Sequence, residues 1–336
     1  MSLEFQILGN IGGDNALFVK ADSGQSIDRW LFDCGESARR LTMTETQELD
    51  GLFFSHLHMD HIGGFDPFFR RNYDRTTRPN LIWGPARTSA ILQHRFRGYL
   101  WNLHHDMEAT WRVMDVKEDH IDTTRFELSE AFALAHPEGT RSRNGVLHQG
   151  AASRIEALDL DHGTRSLGYI VREPDRSNVD LTQMTALGLR PGPWVKQLKE
   201  CPDEDATLEI AGTSYSLKEL RKALVHITTG DVLAYLTDFH VHEADLEKLA
   251  VKLSGCQTLV CEAQYRPADY ELAEKHRHMT ASLTGRLAHA AGVSDLVVIH
   301  VSSRYSRQEW GALLEEVRRE FPGARYPDHW SRGGLG

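Results

Sequence analysis

The chain has 336 residues, and its 40% hydrophobic and 26% charged content is ordinary for a globular protein. Lys and Arg number 38 against 48 Asp and Glu. The resulting formal net charge of −10 argues against a protein that holds nucleic acid by bulk positive charge. The 18 histidines are unusual, since imidazole serves both metal ligation and proton transfer near neutral pH. Histidine placement is therefore the first guide to chemistry.

The cellular setting is indicated by features that the sequence lacks. No apolar run approaches the roughly 20 residues that span a bilayer. The start, MSLEFQILGN, has no basic segment followed by a long apolar stretch of the signal-peptide kind. The four cysteines form no CxxC pair. A cytoplasmic protein with reduced thiols and no membrane association is expected.

Short apolar runs separated by glycine turns predict strands in the first half of the chain. The polar stretch 136–153 predicts a long surface loop between two of them. The predicted strands cover residues 4–9, 16–20, 29–35, 51–55, 80–84, 125–134 and 154–171, with a helix over 86–98.

The second half resumes the alternation after an acidic, Pro- and Gly-rich segment over 172–222, which indicates an excursion or arm from a single domain covering 1–336. Ser306 and Glu309 form a capping box that begins a last helix. Strands alternating with helices in both halves predict sheets covered by helices, an α/β architecture. The predicted strands here cover 224–228, 232–238, 258–262 and 296–300, and the predicted helices cover 242–253 and 280–291.

The strongest chemical signal is the run SHLHMDH at residues 55–61, directly after a predicted strand. His56 and His58 are two residues apart and project to the same side of an extended backbone. Asp60 and His61 follow as the chain turns toward a helix. Four donors this close together would be costly to bury unless they bind something. The run therefore predicts a metal site rather than a polar surface turn.

Further donors stand at the ends of other apolar strands, namely His162, Asp238, Glu262 and His300. Taken singly, each of these histidines is more often a packed or solvated residue than a ligand. Strands that each stop at a histidine or an acid describe a sheet edge where active-site groups gather. Together with residues 55–61, they predict a site for two metal ions.

The order His-x-His-x-Asp-His is the signature of the metallo-β-lactamase superfamily, and the chain resembles its ribonuclease Z family over nearly its whole length. LFDCGE, SHLHMDHIGG, LDLDHGTRSLGYIV and YLTD resemble the first four motifs of that family. The third motif selects His162 over His136 and His148. LGLRPGPW, HRHMT and HVSSRY resemble further elements, and the ordered set is fairly specific to ribonuclease Z and its near paralogues.

This resemblance implies a four-layered αβ/βα sandwich of the metallo-β-lactamase type with a dinuclear site. The cofactor it implies is two Zn²⁺ ions, with Mn²⁺ as the alternative. One ion would be held by His56, His58 and His162, the other by Asp60, His61 and His300, and Asp238 would bridge them.

The resemblance also implies roles for residues around the ions. Asp60 would orient or deprotonate a metal-activated hydroxide. His278, held by Glu262, would protonate the leaving oxygen or stabilise the phosphate. Asp33 would orient a ligand histidine. The implied substrate contacts are Arg304, Tyr305, Gly192 and Pro193.

The implied function is an endonuclease that removes 3′ trailers from precursor tRNA as a homodimer. Two alternatives stay open, because the arm segment KECPDEDATLE is acidic where an RNA-gripping arm favours Lys and Arg. One is a phosphodiesterase for a small cyclic nucleotide or cyclic phosphate, and the other is a non-catalytic metal-binding paralogue. Arginines interleaved with aromatics in 68–80 and 93–101 form either a phosphate-gripping surface or a solvated face with buried aromatic anchors.

Overall fold

The computed structural model describes residues 3–203 and 205–332, which fall into two compact units. The larger unit joins the chain up to Glu173 with the chain from Asp231 onward. The smaller unit spans Pro174–Gly230, where the sequence predicted an excursion over 172–222.

The strands of the described residues, in chain order, are β1 (Leu3–Leu8), β2 (Ala16–Asp22), β3 (Ile27–Phe32), β4 (Gly51–Phe53), β5 (Asn80–Pro85), β6 (Thr110–Val116), β7 (His120–Glu127), β8 (His136–Ser142), β9 (Val146–Gln149), β10 (Arg154–Asp161), β11 (Arg165–Arg172), β12 (Arg176–Val179), β13 (Thr207–Ile210), β14 (Thr213–Ser216), β15 (Val225–Thr228), β16 (Val232–Leu236), β17 (Thr258–Glu262) and β18 (Asp295–Ile299).

The helices are α1 (Ser37–Arg40), α2 (Met43–Gln47), α3 (Met59–Ile62), α4 (Phe65–Asn72), α5 (Thr88–Phe96), α6 (Leu181–Ala186), α7 (Trp194–Glu200), α8 (Leu217–Leu224), α9 (Glu243–Lys252), α10 (Tyr270–His276), α11 (Ala281–Ala291), α12 (Arg307–Glu320) and α13 (Asp328–Arg332). None of the helices in the described part of the chain is long and apolar enough to cross a bilayer.

Two sheets form the larger unit. The first has the order β1-β2-β3-β4-β5-β6-β7-β8, in which β3 to β6 run parallel. The second has the order β18-β17-β16-β11-β10-β9, in which β16 to β18 run parallel. Parallel strands end at the same edge of a sheet, so each sheet presents the carboxyl ends of several strands along one edge.

An aromatic core lies between the inner faces of these sheets. Phe53 of the first sheet stacks on Trp83 with ring centres 4.4 Å apart and packs edge-on against Tyr169 of the second sheet. Helices α4 and α5 share an apolar cluster with the outer face of the first sheet, while α9, α11 and α12 pack with the strands of the second. The result is a helix-sheet-sheet-helix arrangement.

The loop prediction over 136–153 is wrong. Residues 136–142 form β8 on the edge of the first sheet, and residues 146–149 form β9 on the edge of the second. β8 is almost wholly exposed, so its sequence carries charged groups such as Glu138 and shows no apolar alternation. The predicted strand 125–134 is likewise shifted, since β7 ends at Glu127, and β6 was not anticipated.

The smaller unit has an apolar cluster of its own, which its acidic composition hid. Met184 of α6, Leu198 of α7 and Leu220 of α8 are buried in this cluster. Two antiparallel strand pairs, β12 with β15 and β13 with β14, complete the unit.

The turn after α3 accepts only glycine at position 64. A Cβ at Gly64 would lie 1.8 Å from the carbonyl oxygen of Cys34 and 2.1 Å from that of Gly35. We therefore expect Gly64→Ala to lower the free energy of unfolding by about 3 kcal/mol. The matched control is Gly311→Ala in α12, where a Cβ meets no atom within 4 Å and a gain of about 0.5–1 kcal/mol is expected. Thermal unfolding of both variants is the measurement, and a Gly64→Ala midpoint at or above that of wild type would contradict the expectation.

Candidate metal centre

Three residues of the centre follow strand ends in a left-handed backbone conformation. Asp33 after β3 has φ of 57°, Asp238 after β16 has 50° and His300 after β18 has 49°. Such angles are uncommon outside glycine and concentrate at functional sites. The strand ends therefore turn sharply at the edge where these side chains meet.

The two carboxylate oxygens of Asp238 face two different groups of histidines. Oδ2 lies 3.7 Å from Nε2 of His56 and 3.5 Å from Nε2 of His162. Oδ1 lies 3.2 Å from Nε2 of His61 and 3.4 Å from Nε2 of His300. A carboxylate whose oxygens point to separate nitrogen clusters has the arrangement of a bridge between two ions.

Each side of Asp238 carries a further donor from the 55–61 run. His58 groups with His56 and His162, their ligand atoms within 4.8 Å of one another. Asp60 groups with the other side, where its Oδ2 lies 3.3 Å from Nε2 of both His61 and His300. The structure thus brings together all seven residues that the sequence predicted as ligands.

The donor set fits divalent cations. Nε2 of His56 and Nε2 of His61 are buried, and neither has a hydrogen-bond partner in the part of the chain that the structure describes. These atoms lie near carboxylate oxygens without forming hydrogen bonds to them. Leaving two buried ring nitrogens unpaired is costly, and a cation between the nitrogens and oxygens would satisfy both.

Asp33 holds this arrangement from behind. Its fully buried carboxylate accepts hydrogen bonds from Nδ1 of His61 at 2.8 Å and from the hydroxyl of Tyr235 at 2.9 Å. The backbone N–H and the hydroxyl of Ser55 donate to it as well, each at 2.8 Å. The bond to Nδ1 leaves Nε2 of His61 directed at the centre, which is how a carboxylate orients a ligand histidine.

Glu262 and His278 lie beside the centre. Oε2 of Glu262 accepts from Nδ1 of His278 at 2.9 Å, and Oε1 accepts from the backbone N–H of Phe239 at 2.7 Å. The His278 ring lies 4.6 Å from that of His162 and 5.5 Å from that of His300, measured between centres. Glu262 therefore fixes both His278 and the backbone that follows Asp238.

The pKa values of the histidines shift in opposite directions on the two sides of Asp238. Burial lowers the pKa of His56 to about 2 and lowers that of His162 as well, so both rings offer free lone pairs. Burial also acts to lower the pKa of His300, but the carboxylates of Asp238 and Asp60 prevail and raise it to about 10. Burial acts to lower the pKa of His61 too, but the carboxylates of Asp238 and Asp33 hold that pKa well above its usual range. Carboxylates that draw protons onto neighbouring histidines mark a place that requires positive charge.

Comparison with known proteins identifies the family. A protein of Deinococcus radiodurans named Ribonuclease Z is 46% identical over 332 residues, which cover 98% of this chain and 99% of that protein. The chain belongs to the ribonuclease Z family. It is accordingly a metal-dependent endoribonuclease, a phosphodiester hydrolase. A family model described as "Anti-Pycsar protein Apyc1" also matches residues 13–148.

Solved structures support the same fold. The metallo-β-lactamase fold protein YhfI from Bacillus subtilis aligns with a TM-score of 0.54 at 13% identity, covering 96% of this chain and 95% of that one. The short form of human tRNase Z aligns with a TM-score of 0.51 at 17% identity, covering 90% and 94%. The predicted metallo-β-lactamase sandwich, and the resemblance to ribonuclease Z, are confirmed.

The predicted substrate contacts lie in different places of this ribonuclease Z family chain. Arg304 is exposed, with its guanidinium 6.0 Å from the ring centre of Tyr265. Tyr305 is buried, and its hydroxyl donates to Asp269. Gly192 and Pro193 belong to the smaller unit and directly precede α7.

The arginines that alternate with aromatics have mixed surroundings. Arg75 is buried and donates to the backbone carbonyls of Gln47 and Leu49, so it holds the fold together. Arg70 is exposed beside an open groove of about 620 Å³ that Tyr73 and Trp101 also line. Buried Arg75 therefore belongs neither to a phosphate-gripping surface nor to a solvated face, whereas the surface at Arg70 is accessible.

Sequence reasoning missed several supporting residues of the ribonuclease Z family centre. Asp14 is half-buried near Asp60, and burial followed by the Asp60 charge raises its pKa. Oδ1 of Asn15 accepts from the backbone N–H of His300. The glycine-flanked GGDN stretch was the available signal for Asp14 and Asn15, whereas nothing local marks Tyr235 as a donor to Asp33.

The Asp33 network leads to a test of metal affinity. We expect Asp33→Asn to weaken zinc binding about 10- to 100-fold, because the amide can no longer accept on both sides. Tyr235→Phe, which removes only one of the donors, is expected to have a much smaller effect. Competition with a chromophoric chelator measures both variants, and equal losses from the two would contradict this role of Asp33.

Proposed function

We propose that the chain removes 3′ trailers from precursor tRNA at a dinuclear centre built around Asp238. The observation that carries this proposal is that the two carboxylate oxygens of Asp238 face two separate clusters of histidine nitrogens. The relative from Deinococcus radiodurans named Ribonuclease Z supports an RNA substrate.

The proposed cofactor is two Zn²⁺ ions, since sites rich in histidine and carboxylate suit zinc and Mn²⁺ prefers more oxygen. We assign His56, His58 and His162 to one ion, Asp60, His61 and His300 to the other, and Asp238 to both. Bound divalent cations supply Lewis acidity to the phosphodiester oxygens and lower the pKa of water.

Of the two carboxylates assigned as ligands, Asp60 is the one that solvent reaches. Its side chain is 39% exposed, compared with 3% for that of Asp238. A general base must be within reach of the water whose proton it accepts. Asp60 therefore orients and deprotonates the attacking water.

His278 serves the opposite end of the reaction. Its Nδ1–H donates to the fully buried carboxylate of Glu262, which leaves Nε2 for the substrate. His278 gives its Nε2 proton to the leaving ribose oxygen, and Glu262 positions it to do so.

The residues that contact the RNA and the homodimeric state are assigned by resemblance to the ribonuclease Z family and are part of the same proposal. Arg304 contacts the phosphate backbone of the RNA, while Tyr305 packs behind it. The smaller unit, through Gly192 and Pro193, serves the tRNA of the partner subunit in a homodimer. The cytoplasmic location also stays a prediction.

The substrate is tested by offering 3′-extended precursor tRNA and cyclic nucleotides to the same enzyme at matched Zn²⁺ or Mn²⁺. Cleavage directly after the discriminator base is the expected result. Turnover of a cyclic nucleotide without cleavage of the RNA would overturn the RNA proposal and leave a small-molecule phosphodiesterase. Absence of both activities, also on bis-p-nitrophenyl phosphate, would leave a non-catalytic paralogue.

The role of Asp238 predicts a severe loss of activity. Asp238→Asn keeps a side chain that tolerates the left-handed backbone but removes the bridging charge, so activity should fall about 1,000-fold or more. The control Asp245→Asn removes an exposed carboxylate in the first turn of α9 and should leave the rate unchanged. Rates on bis-p-nitrophenyl phosphate, measured with and without a chelator, are the readout, and full activity of Asp238→Asn would exclude the mechanism.

The role of His278 predicts a dependence on the leaving group. On precursor tRNA, whose leaving alkoxide requires a proton, His278→Ala should be slower by about 10²- to 10⁴-fold. On bis-p-nitrophenyl phosphate the loss should stay below about tenfold, because p-nitrophenolate leaves without protonation. Metal content is measured alongside. Equal losses on both substrates would assign His278 to phosphate binding instead of proton donation.

A further inference from the structure

A second group of metal-binding side chains lies outside the Asp238 centre. His240 and His242 come from the loop between β16 and α9, and Glu274 comes from α10. One ligand atom from each lies within 4.8 Å of the others. The motifs of the ribonuclease Z family use none of these three residues.

His240 is held as a metal ligand would be. Its Nδ1 lies 2.9 Å from the backbone carbonyl of His278. A carbonyl only accepts, so Nδ1 carries the hydrogen and Nε2 of the neutral ring carries a lone pair. Metal-binding histidines are commonly fixed in this tautomer by a backbone carbonyl.

Nε2 of His240 is the atom that requires a partner. The residue is only 6% exposed, and this nitrogen has no hydrogen-bond partner within residues 3–203 and 205–332. An unpaired buried acceptor costs free energy. The His242 ring centre lies 5.0 Å from that of His240, and the carboxylate of Glu274 completes the group.

We propose that His240, His242 and Glu274 bind a third divalent transition-metal ion, with Zn²⁺ as the preferred occupant. Two imidazoles and one carboxylate with an open fourth position are a usual zinc donor set. Two atoms bound to one zinc ion lie at most about 4.2 Å apart. His242 and Glu274 are exposed, so small rotations of their side chains bring all three donors into range while buried His240 stays fixed.

The site is joined to the Asp238 centre through one short backbone segment. Arg277, at the end of α10, has a left-handed φ of 58°. Its carbonyl accepts from Nδ1 of His162 at 2.8 Å, and the next carbonyl, of His278, accepts from Nδ1 of His240. The segment 277–278 thus supports a histidine of each site and carries the side chain of His278. Glu274 precedes this segment in α10, and His240 is hydrogen-bonded to the carbonyl of His278 at its other end. An ion bound to His240 and Glu274 therefore restrains the segment at both ends.

The first test is metal stoichiometry, which needs no activity. The full chain is equilibrated with excess Zn²⁺, desalted and measured by inductively coupled plasma mass spectrometry. Wild type should exceed His242→Ala and Glu274→Gln by one ion per chain. The controls His289→Ala and Glu271→Gln remove an exposed imidazole and an exposed α10 carboxylate outside the group, and should match wild type. Equal ion counts in all five proteins would overturn the third site.

Two further measurements separate this site from the proposed dinuclear centre. Asp238→Asn should still bind Co²⁺ with a visible absorption band that disappears when His242→Ala is added; a band insensitive to His242→Ala would place the ion elsewhere. Amide hydrogen exchange at residues 277–280 should slow at least several-fold on adding Zn²⁺ to Asp238→Asn, and not in the double variant. Unchanged exchange would overturn the coupling. If the proposed dinuclear centre were wrong, Asp238→Asn would instead bind as many ions per chain as wild type.

Discussion

The buried carboxylate of Asp33 is the interaction on which the centre depends. It receives Ser55 and His61 from the segment after β4 and Tyr235 from β16, so one side chain of the first sheet is bonded to the second sheet across the sandwich. A buried carboxylate is costly unless its oxygens are paired, and here several donors pair them. The same hydrogen bonds that offset the cost of burying Asp33 also orient His61. The stability of the fold and the geometry of the metal ligands therefore depend on the same contacts.

Strain at the strand ends is the second part of this design. Asp33, Asp238 and His300 adopt left-handed backbone angles, which the surrounding hydrogen bonds maintain. Glu262 holds the backbone after Asp238, and Asn15 holds the backbone of His300. Donors from distant parts of the chain therefore meet with little freedom to move, as tight ion binding requires.

Much of the fold was accessible to pattern reasoning, and the failures have physical causes. Buried strands such as β4 and capped helices such as α12 can be recognised in the sequence, because burial and capping select particular residue types. The exposed edge strand β8 cannot be recognised in this way, because a strand that faces solvent needs no alternating apolar residues. The core of the smaller unit was missed for a similar reason, since scattered residues such as Trp194 and Leu217 become a cluster only on folding.

The sequence by itself determined the chemistry, because a dense run of histidines with an acid has few uses other than metal binding, and ordered strand-end donors point to one edge. Tertiary structure decided which groups share that edge. Only folding shows that Asp238 faces two nitrogen clusters and that Tyr235 donates to Asp33. Only folding buries His240 with a ring nitrogen that has no hydrogen-bond partner among the described residues. The physical reason is that these relations join residues far apart in the chain, and the hydrogen bonds and burial that define them exist only in the packed protein.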